Sequence, residues 1–368
     1  MYAKIIASNW EGALMEEGKA MKRAKIRHVL ALSVILLLIT VMLNACSESS
    51  DVLNLEFANG APYYLTIGGV NYSPDMSGIY LAEMGLTDED IAPLKYMTNL
   101  TWIALYGNQI SDLTPLSGLM DLNSLDLSDN RISELAPLSG LINLTELSLW
   151  ENQISDLSPL SGLTNLNSLH LDDNKISDLT ALRGLTNLTE LSLWENQISD
   201  LSPLGELTNL NSLYVDDNQI SDLTPLSGLI NLTDLSLWGN QVSSLEHLSK
   251  LTNLINLVLI DNQINNLEQI ENLTNLQELY LGENQIRDIA PISSLTNLTT
   301  LDISGNQIRD LTPISGLTNL TVLFLSRNEI SDIIALSSLA HLSFLGLDGN
   351  QITDWSPVAH VSDVRGRQ

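Results

Sequence analysis

The 368-residue chain has few of the side chains on which most protein chemistry depends. It has one cysteine, Cys46, which excludes an intrachain disulfide and a cysteine-rich zinc site. Its five histidines (His28, His170, His247, His341 and His360) lack the close pairing that metal-binding helices use. Lysine and arginine number 16 against 44 Asp and Glu, a formal net charge of −28. Residues 1–45 take six of the basic and three of the acidic residues, which leaves 10 basic and 41 acidic, a net of −31, for the rest. Such a surface repels phosphate backbones, so nucleic acid is excluded as a partner and a basic or neutral ligand is favoured. Aromatic residues are 5 % and charged residues 16 %, whereas hydrophobic residues reach 44 %. Disorder requires low hydrophobicity with high charge, so the bulk of the chain is expected to fold. Neither an enzyme nor a cofactor is suggested by this composition.

What is present begins with an address. Lys22, Arg23, Lys25 and Arg27 precede an apolar run over residues 29–43, 15 residues long. A membrane span needs about 20. A basic flank, a short apolar core and small residues at its end read as a secretory signal, with a single membrane anchor as the alternative. The segment ends Leu43-Asn44-Ala45-Cys46, which resembles the lipobox of bacterial lipoproteins, although Asn44 departs from the usual pattern. That resemblance implies cleavage before Cys46, lipidation of the Cys46 thiol, and an exported, membrane-anchored lipoprotein of the bacterial envelope or surface. Residues 47–51 are a polar tether. Met21 is the better start, because Glu11, Glu16 and Glu17 do not suit a signal sequence. The expected organisation is therefore residues 1–20 as a start-site extension, 21–45 as signal peptide, and 46–52 as lipidated cysteine and tether. Residues 53–78 form an N-terminal cap, 79–358 repeats, and 359–368 a tail.

From residue 99 the chain repeats itself. Asn108, Asn130, Asn152 and so on to Asn350 recur every 22 residues. Aliphatic pairs such as Leu147/Leu149 stand five and three residues before each asparagine, and Ile or Val stands two after it. These features resemble the leucine-rich repeats of internalin-type bacterial surface proteins. The resemblance implies an α/β solenoid: a curved leucine-rich-repeat array with a concave parallel β-sheet and convex 3₁₀ or short helical turns. The physics agrees. Leu-x-Leu places two leucines on one face of a strand, and stacked coils bury what a single coil cannot. The recurrent asparagine amide is suited to satisfy backbone groups where each coil turns inward. Ser/Thr-Pro-Leu, as at Ser158-Pro159, predicts an N-cap followed by proline at the first helical position. The sequon-like Asn-Leu-Thr at Asn99, Asn143 and Asn187 is explained by the repeat.

Function has to be sought between the leucines. The column two residues before each asparagine reads Tyr106, Ser128, Trp150, Asp172, Trp194, Asp216, Trp238, Ile260. Beside it run Asp126, His170 and Tyr214, then Trp102, Glu146, Glu190 and Asp234, with Asp129, Glu151, Asp173, Glu195 and Asp217 at the border. A cluster of exposed tryptophans suggests a binding surface. The candidate ligand-binding residues are Trp102, Tyr106, Trp150, His170, Asp172, Glu190, Trp194, Tyr214, Asp216 and Trp238. The expected partner of this monomer is a basic or neutral protein or peptide, with a glycan stacking on the tryptophans as the alternative. Passive copying of a 44-residue double repeat also accounts for the Trp/Asp alternation. A hydrolase built on Asp172 and Glu190 is disfavoured, because a flat open sheet excludes water poorly. A calcium site at Asp172-Asp173 and Asp216-Asp217 lacks a loop cage of oxygens. A second, apolar patch is expected from Val258, Ile260, Tyr280, Val322, Phe324 and Phe344, and Trp355 is expected to cover the last core layer.

Overall fold

The computed structural model describes residues 64–367. The start-site extension, signal peptide, Cys46 and tether lie outside the described residues. Fourteen three-residue strands, from Gly78–Tyr80 to Asp363–Arg365, form one parallel sheet in strict chain order. Each strand leaves into a turn, a 3₁₀ segment and a return, so one coil of chain adds one strand. The coil from Leu185 to Leu204 buries Leu185, Leu188, Leu191, Leu193, Ile198, Leu201 and Leu204 almost completely. No coil has an apolar interior of its own; each supplies one layer of a continuous core.

The asparagine ladder closes the polar side of that core. The Asn174 amide donates to the carbonyls of Leu149 (3.0 Å), Leu171 (3.1 Å) and Asp172 (3.0 Å), and its Oδ1 accepts from the Ile154 N–H (2.9 Å). One side chain thus ties two coils together. At every asparagine from Asn108 to Asn350 the oxygen accepts a backbone N–H of the preceding coil. The residue just before the asparagine turns the chain with positive φ, for example 56° at Glu151 and 49° at Asp173. Glycine relieves that strain at Gly107 and Gly239. A second set of asparagines, in the sequon-like segments, also bridges coils: Asn187 Nδ2 donates to the Thr164 carbonyl at 2.8 Å.

The 3₁₀ turns lie where expected, as at Ser158–Leu160 and Ser202–Leu204, but their caps differ from expectation. Ser or Thr occupies the first position of the turn. The cap is an aspartate two residues earlier. Thr114 donates its N–H and hydroxyl to Asp112 Oδ1 (2.9 and 2.5 Å), and Ser158 and Ser202 donate their N–H groups to Asp156 and Asp200 (2.8 Å each). A carboxylate reaches forward over two residues with better geometry than a hydroxyl on the capped residue itself, forming an Asx turn.

The ends are closed separately. Leu65–Ile67 and Val70–Tyr72 pair antiparallel across Gly68-Gly69, both with positive φ. A four-residue helix, Asp88–Ile91, carries a reciprocal Thr87–Asp90 capping box. At the other end, the segment expected to be a tail joins the sheet: Asp363–Arg365 pairs with Phe344–Gly346. Val358 and Val361 are buried beneath it, and Trp355 packs on the core with the Arg367 guanidinium 5.6 Å from its ring.

Candidate docking surface

The ladder does not stop where the strands end. Backbone N–H groups of Asp129, Glu151, Asp173, Glu195 and Asp217 donate to the carbonyls of Trp150, Asp172, Trp194, Asp216 and Trp238, all between 2.7 and 2.9 Å. The column two before each asparagine therefore keeps strand register through five consecutive coils. At about 4.8 Å per coil, the three tryptophans stand about 9.6 Å apart. All three are partly exposed on the sheet side, neither in the core nor on the 3₁₀ side.

The aspartates between them reach across to the next coil. Asp172 accepts the Trp194 N–H at 2.9 Å and the Ser192 hydroxyl. Asp216 accepts the Trp238 N–H at 2.6 Å and the Ser236 hydroxyl. Each carboxyl thus holds the backbone of the next tryptophan. Desolvation raises Asp172 to about 6, against the opposing effects of the His170 charge, the Ser192 hydroxyl and the Trp194 N–H. Desolvation raises Asp216 to about 7, opposed by Ser236 and the Trp238 N–H and assisted by the charges of Asp217 and Asp172. Sequence reasoning missed Ser192 and Ser236. Their signal was available, since serine stands four before the asparagine in the coils that follow each aspartate.

His170 is 8 % exposed, and its Nε2 lies 3.4 Å from Glu190 Oε1 and 3.3 Å from Ser168 Oγ. Burial alone would lower the imidazole, but the Glu190 hydrogen bond and the charges of Asp172, Glu190 and Asp126 together raise it. Glu190 is lowered, chiefly by the hydrogen bond with His170. Asp172 and Glu190 therefore serve different neighbours. Asp126 is buried and accepts the Ser128 N–H at 3.0 Å. Tyr214 is pushed up to about 12 by desolvation and then by the Asp234 charge.

At the first coils, Trp102 lies over Gly78; a Cβ there would fall 1.9 Å from the indole Nε1. Tyr106 meets Tyr80 edge-to-face at 6.0 Å, their hydroxyls hydrogen-bonded. The expected second apolar patch is largely closed. Ile260, Tyr280, Val322, Phe324 and Phe344 are 4–9 % exposed, and the Phe324 and Phe344 rings pack at 5.0 Å. Adjacent coils are close enough for large apolar side chains to cover one another. Among the described residues, no group of three or more His, Asp, Glu or Cys has the arrangement to hold a metal ion.

The family described as "Leucine Rich repeats (2 copies)" matches residues 98–140, 142–184, 186–228 and 274–316, and "Leucine rich repeat" matches residues 296–352. No curated protein matches. Among solved structures, the internalin InlF of Listeria monocytogenes is 35 % identical, covers 82 % of this chain and 90 % of its own, and has a TM-score of 0.78. The functional domain of InlJ from Listeria monocytogenes (23 % identity, 77 % and 70 % coverage, TM-score 0.60) shares the fold. So does the plant peptide hormone receptor RGFR1, solved in complex with RGF2 (22 % identity, 76 % and 53 % coverage, TM-score 0.61). With its 22-residue asparagine ladder, its single parallel sheet and this degree of identity to InlF, the chain belongs to the internalin-type leucine-rich repeat proteins.

Proposed function

We propose that the protein is a non-catalytic recognition protein of the bacterial cell envelope. The sheet face bearing Trp150, Trp194 and Trp238 docks a protein or peptide partner. The observation that carries this reading is the three partly exposed indoles in register, two of them with backbones held by the carboxylates of Asp172 and Asp216. Large flat side chains that are already ordered lose little entropy on binding, which is why Trp and Tyr dominate interface energetics. The acidic border of Glu151, Asp173, Glu195 and Asp217 speeds encounter with a basic ligand. A role in recognition also accords with the family and with a peptide-bound receptor of the same fold. The lipobox-like Leu43–Cys46 segment supports a lipid tether, which would keep this face at a membrane.

The test is affinity capture from envelope and host extracts with three forms: wild type, a Trp150/Trp194/Trp238→Ala variant, and a Ser202→Ala control. Ser202 is an exposed residue of the 3₁₀ turn Ser202–Leu204, outside the stripe. A partner held by wild type and control but lost by the triple variant, with all three equally folded by circular dichroism, supports the reading. Equal retention by all three overturns it.

A further inference from the structure

We propose that a second copy of this chain docks, in a two-fold contact around Met120 and Ile142, on the edge where each 3₁₀ turn runs into the next strand. This makes the protein a dimer in place of the monomer expected from sequence. The edge precedes each strand and the tryptophan column follows it, so the contact is separate from the docking surface above and does not depend on it.

Charge distinguishes this edge. Residues 95, 96, 98 and 99, with their equivalents at each 22-residue step as far as residue 187, occupy 20 positions on five coils, and all are exposed. Lys95, Asp121 and Arg183 are the only charged residues among them, a net of +1 in a chain of −28. Elsewhere on the same coils, carboxylates recur at the turn after the strand (Asp129, Glu151, Asp173) and at the cap before the 3₁₀ segment (Asp156, Asp178, Asp200). Two copies of so acidic a chain repel where those carboxylates meet. On this edge they meet without that repulsion.

Relief matches charge. Tyr96, Met120 and Ile142, on three successive coils, are 58, 51 and 56 % exposed. Large apolar side chains exposed side by side mark a contact surface. Two positions before Met120 and Ile142 stand Gly118 and Gly140, and the next two coils have Gly162 and Gly184 there. A Cβ added at Gly118, Gly162 or Gly184 would meet nothing within 4 Å, and one at Gly140 would meet only the end of Met120, 3.6 Å away. Protruding side chains and open backbone therefore lie next to each other on one surface. A two-fold contact needs both, because each copy presents what it receives. The edge is also ordered in advance. Asn143 and Asn165 donate Nδ2 hydrogens to the carbonyls of Met120 (2.9 Å) and Ile142 (2.8 Å), so little freedom is lost on docking. Its 20 exposed residues reach the lower end of the roughly 20–30 that each side of a standard interface engages. A lipid surface would reward only the three apolar side chains, whereas a protein surface also uses the hydroxyls and amides around them.

The experiment is sedimentation velocity of the purified full chain over a concentration series. Wild type is expected to dimerise reversibly. Met120→Asp/Ile142→Asp should weaken the dimer about tenfold or more, since it sets four carboxylates in one apolar contact. Thr296→Asp/Thr318→Asp adds the same charge at exposed positions of the same row, further along the solenoid, and should leave the dimer unchanged. Gly162→Gln adds bulk without charge and should also weaken it. Circular dichroism verifies that the variants fold like wild type. A wild type that stays monomeric at every concentration overturns the proposal. So does a dimer that Met120→Asp/Ile142→Asp leaves intact, or that both Asp pairs weaken equally. Flotation of a monomeric chain with phosphatidylethanolamine–phosphatidylglycerol vesicles, lost in Met120→Asp/Ile142→Asp, overturns it in favour of a lipid surface.

Discussion

Asp216 gives the most discriminating test of how the stripe is built. Its carboxyl, ordinarily near 3.8, is raised to about 7 in the folded chain, chiefly by desolvation. The folded state therefore holds a proton that the unfolded state releases above pH 3.8. Stability from this group is fully present below that value and is lost as pH rises through about 7. At about 1.4 kcal/mol per pKa unit, the difference between pH 4 and pH 8 is on the order of 4 kcal/mol. For a domain this large, about 2 °C per kcal/mol converts that to on the order of 8 °C in Tm. Asp216→Asn keeps an oxygen to accept from Trp238 and Ser236 but cannot ionise. Thermal melts from pH 4.5 to 8 should show the variant close to wild type at the acid end and several degrees more stable at pH 8. His170 and Asp172 contribute pH dependence of the same sign, so the difference between variant and wild type is the quantity to read. Parallel Tm curves, or a variant less stable at pH 8, would refute the claim that desolvation raises this carboxyl in the folded chain.

The opposite limb belongs to the turn caps. Asp156, Asp178, Asp200 and Asp222 are lowered by hydrogen bonds from the residue two positions on, so their stabilisation is present above 3.8 and is lost as pH falls through the depressed values. Urea midpoints should fall below about pH 4, and less steeply in an Asp200→Asn/Asp222→Asn double variant. Asn174→Ala removes the partner of the Ile154 N–H and of three carbonyls, and should cost about 2–4 kcal/mol in urea unfolding. Asn187→Ala, at an exposed site with a single such bond, should cost under about 1 kcal/mol. Gly78→Ala should drive the Trp102 indole off its seat, read as a red shift in tryptophan emission that is absent in a Gly78→Ala/Trp102→Phe double variant.

The repeat makes much of this legible in the sequence. A strict period of 22 assigns each residue a place in the coil, because a stacked coil cannot change its length without breaking the ladder to its neighbours. The buried leucines, the asparagine ladder and the sheet-side place of Trp150, Trp194 and Trp238 follow from counting alone. The repeats were expected to begin at residue 79, and the first strand of the sheet, Gly78–Tyr80, lies within one residue of that. The last strand was not expected, because Asp363 sits opposite Phe344 only 19 residues on, and its strand is polar at both ends.

What counting cannot supply is the direction and company of each side chain. Sequence placed Asp172 and Asp216 in the column between the tryptophans, and the fold adds what it could not show: each carboxylate reaches the next coil, where a serine hydroxyl and the tryptophan N–H donate to it. Sequence assigned the caps to Ser and Thr, and the fold gave them to the aspartates, which reach the N–H two residues on. Sequence expected an open apolar patch around Phe324, and neighbouring coils closed it. The chain's periodicity determined the backbone and its columns, since burial of one layer per coil admits a single register. Only the packed structure decided which polar groups face water and which are taken up within, since that depends on donors and acceptors some twenty residues apart in sequence and one strand apart in space.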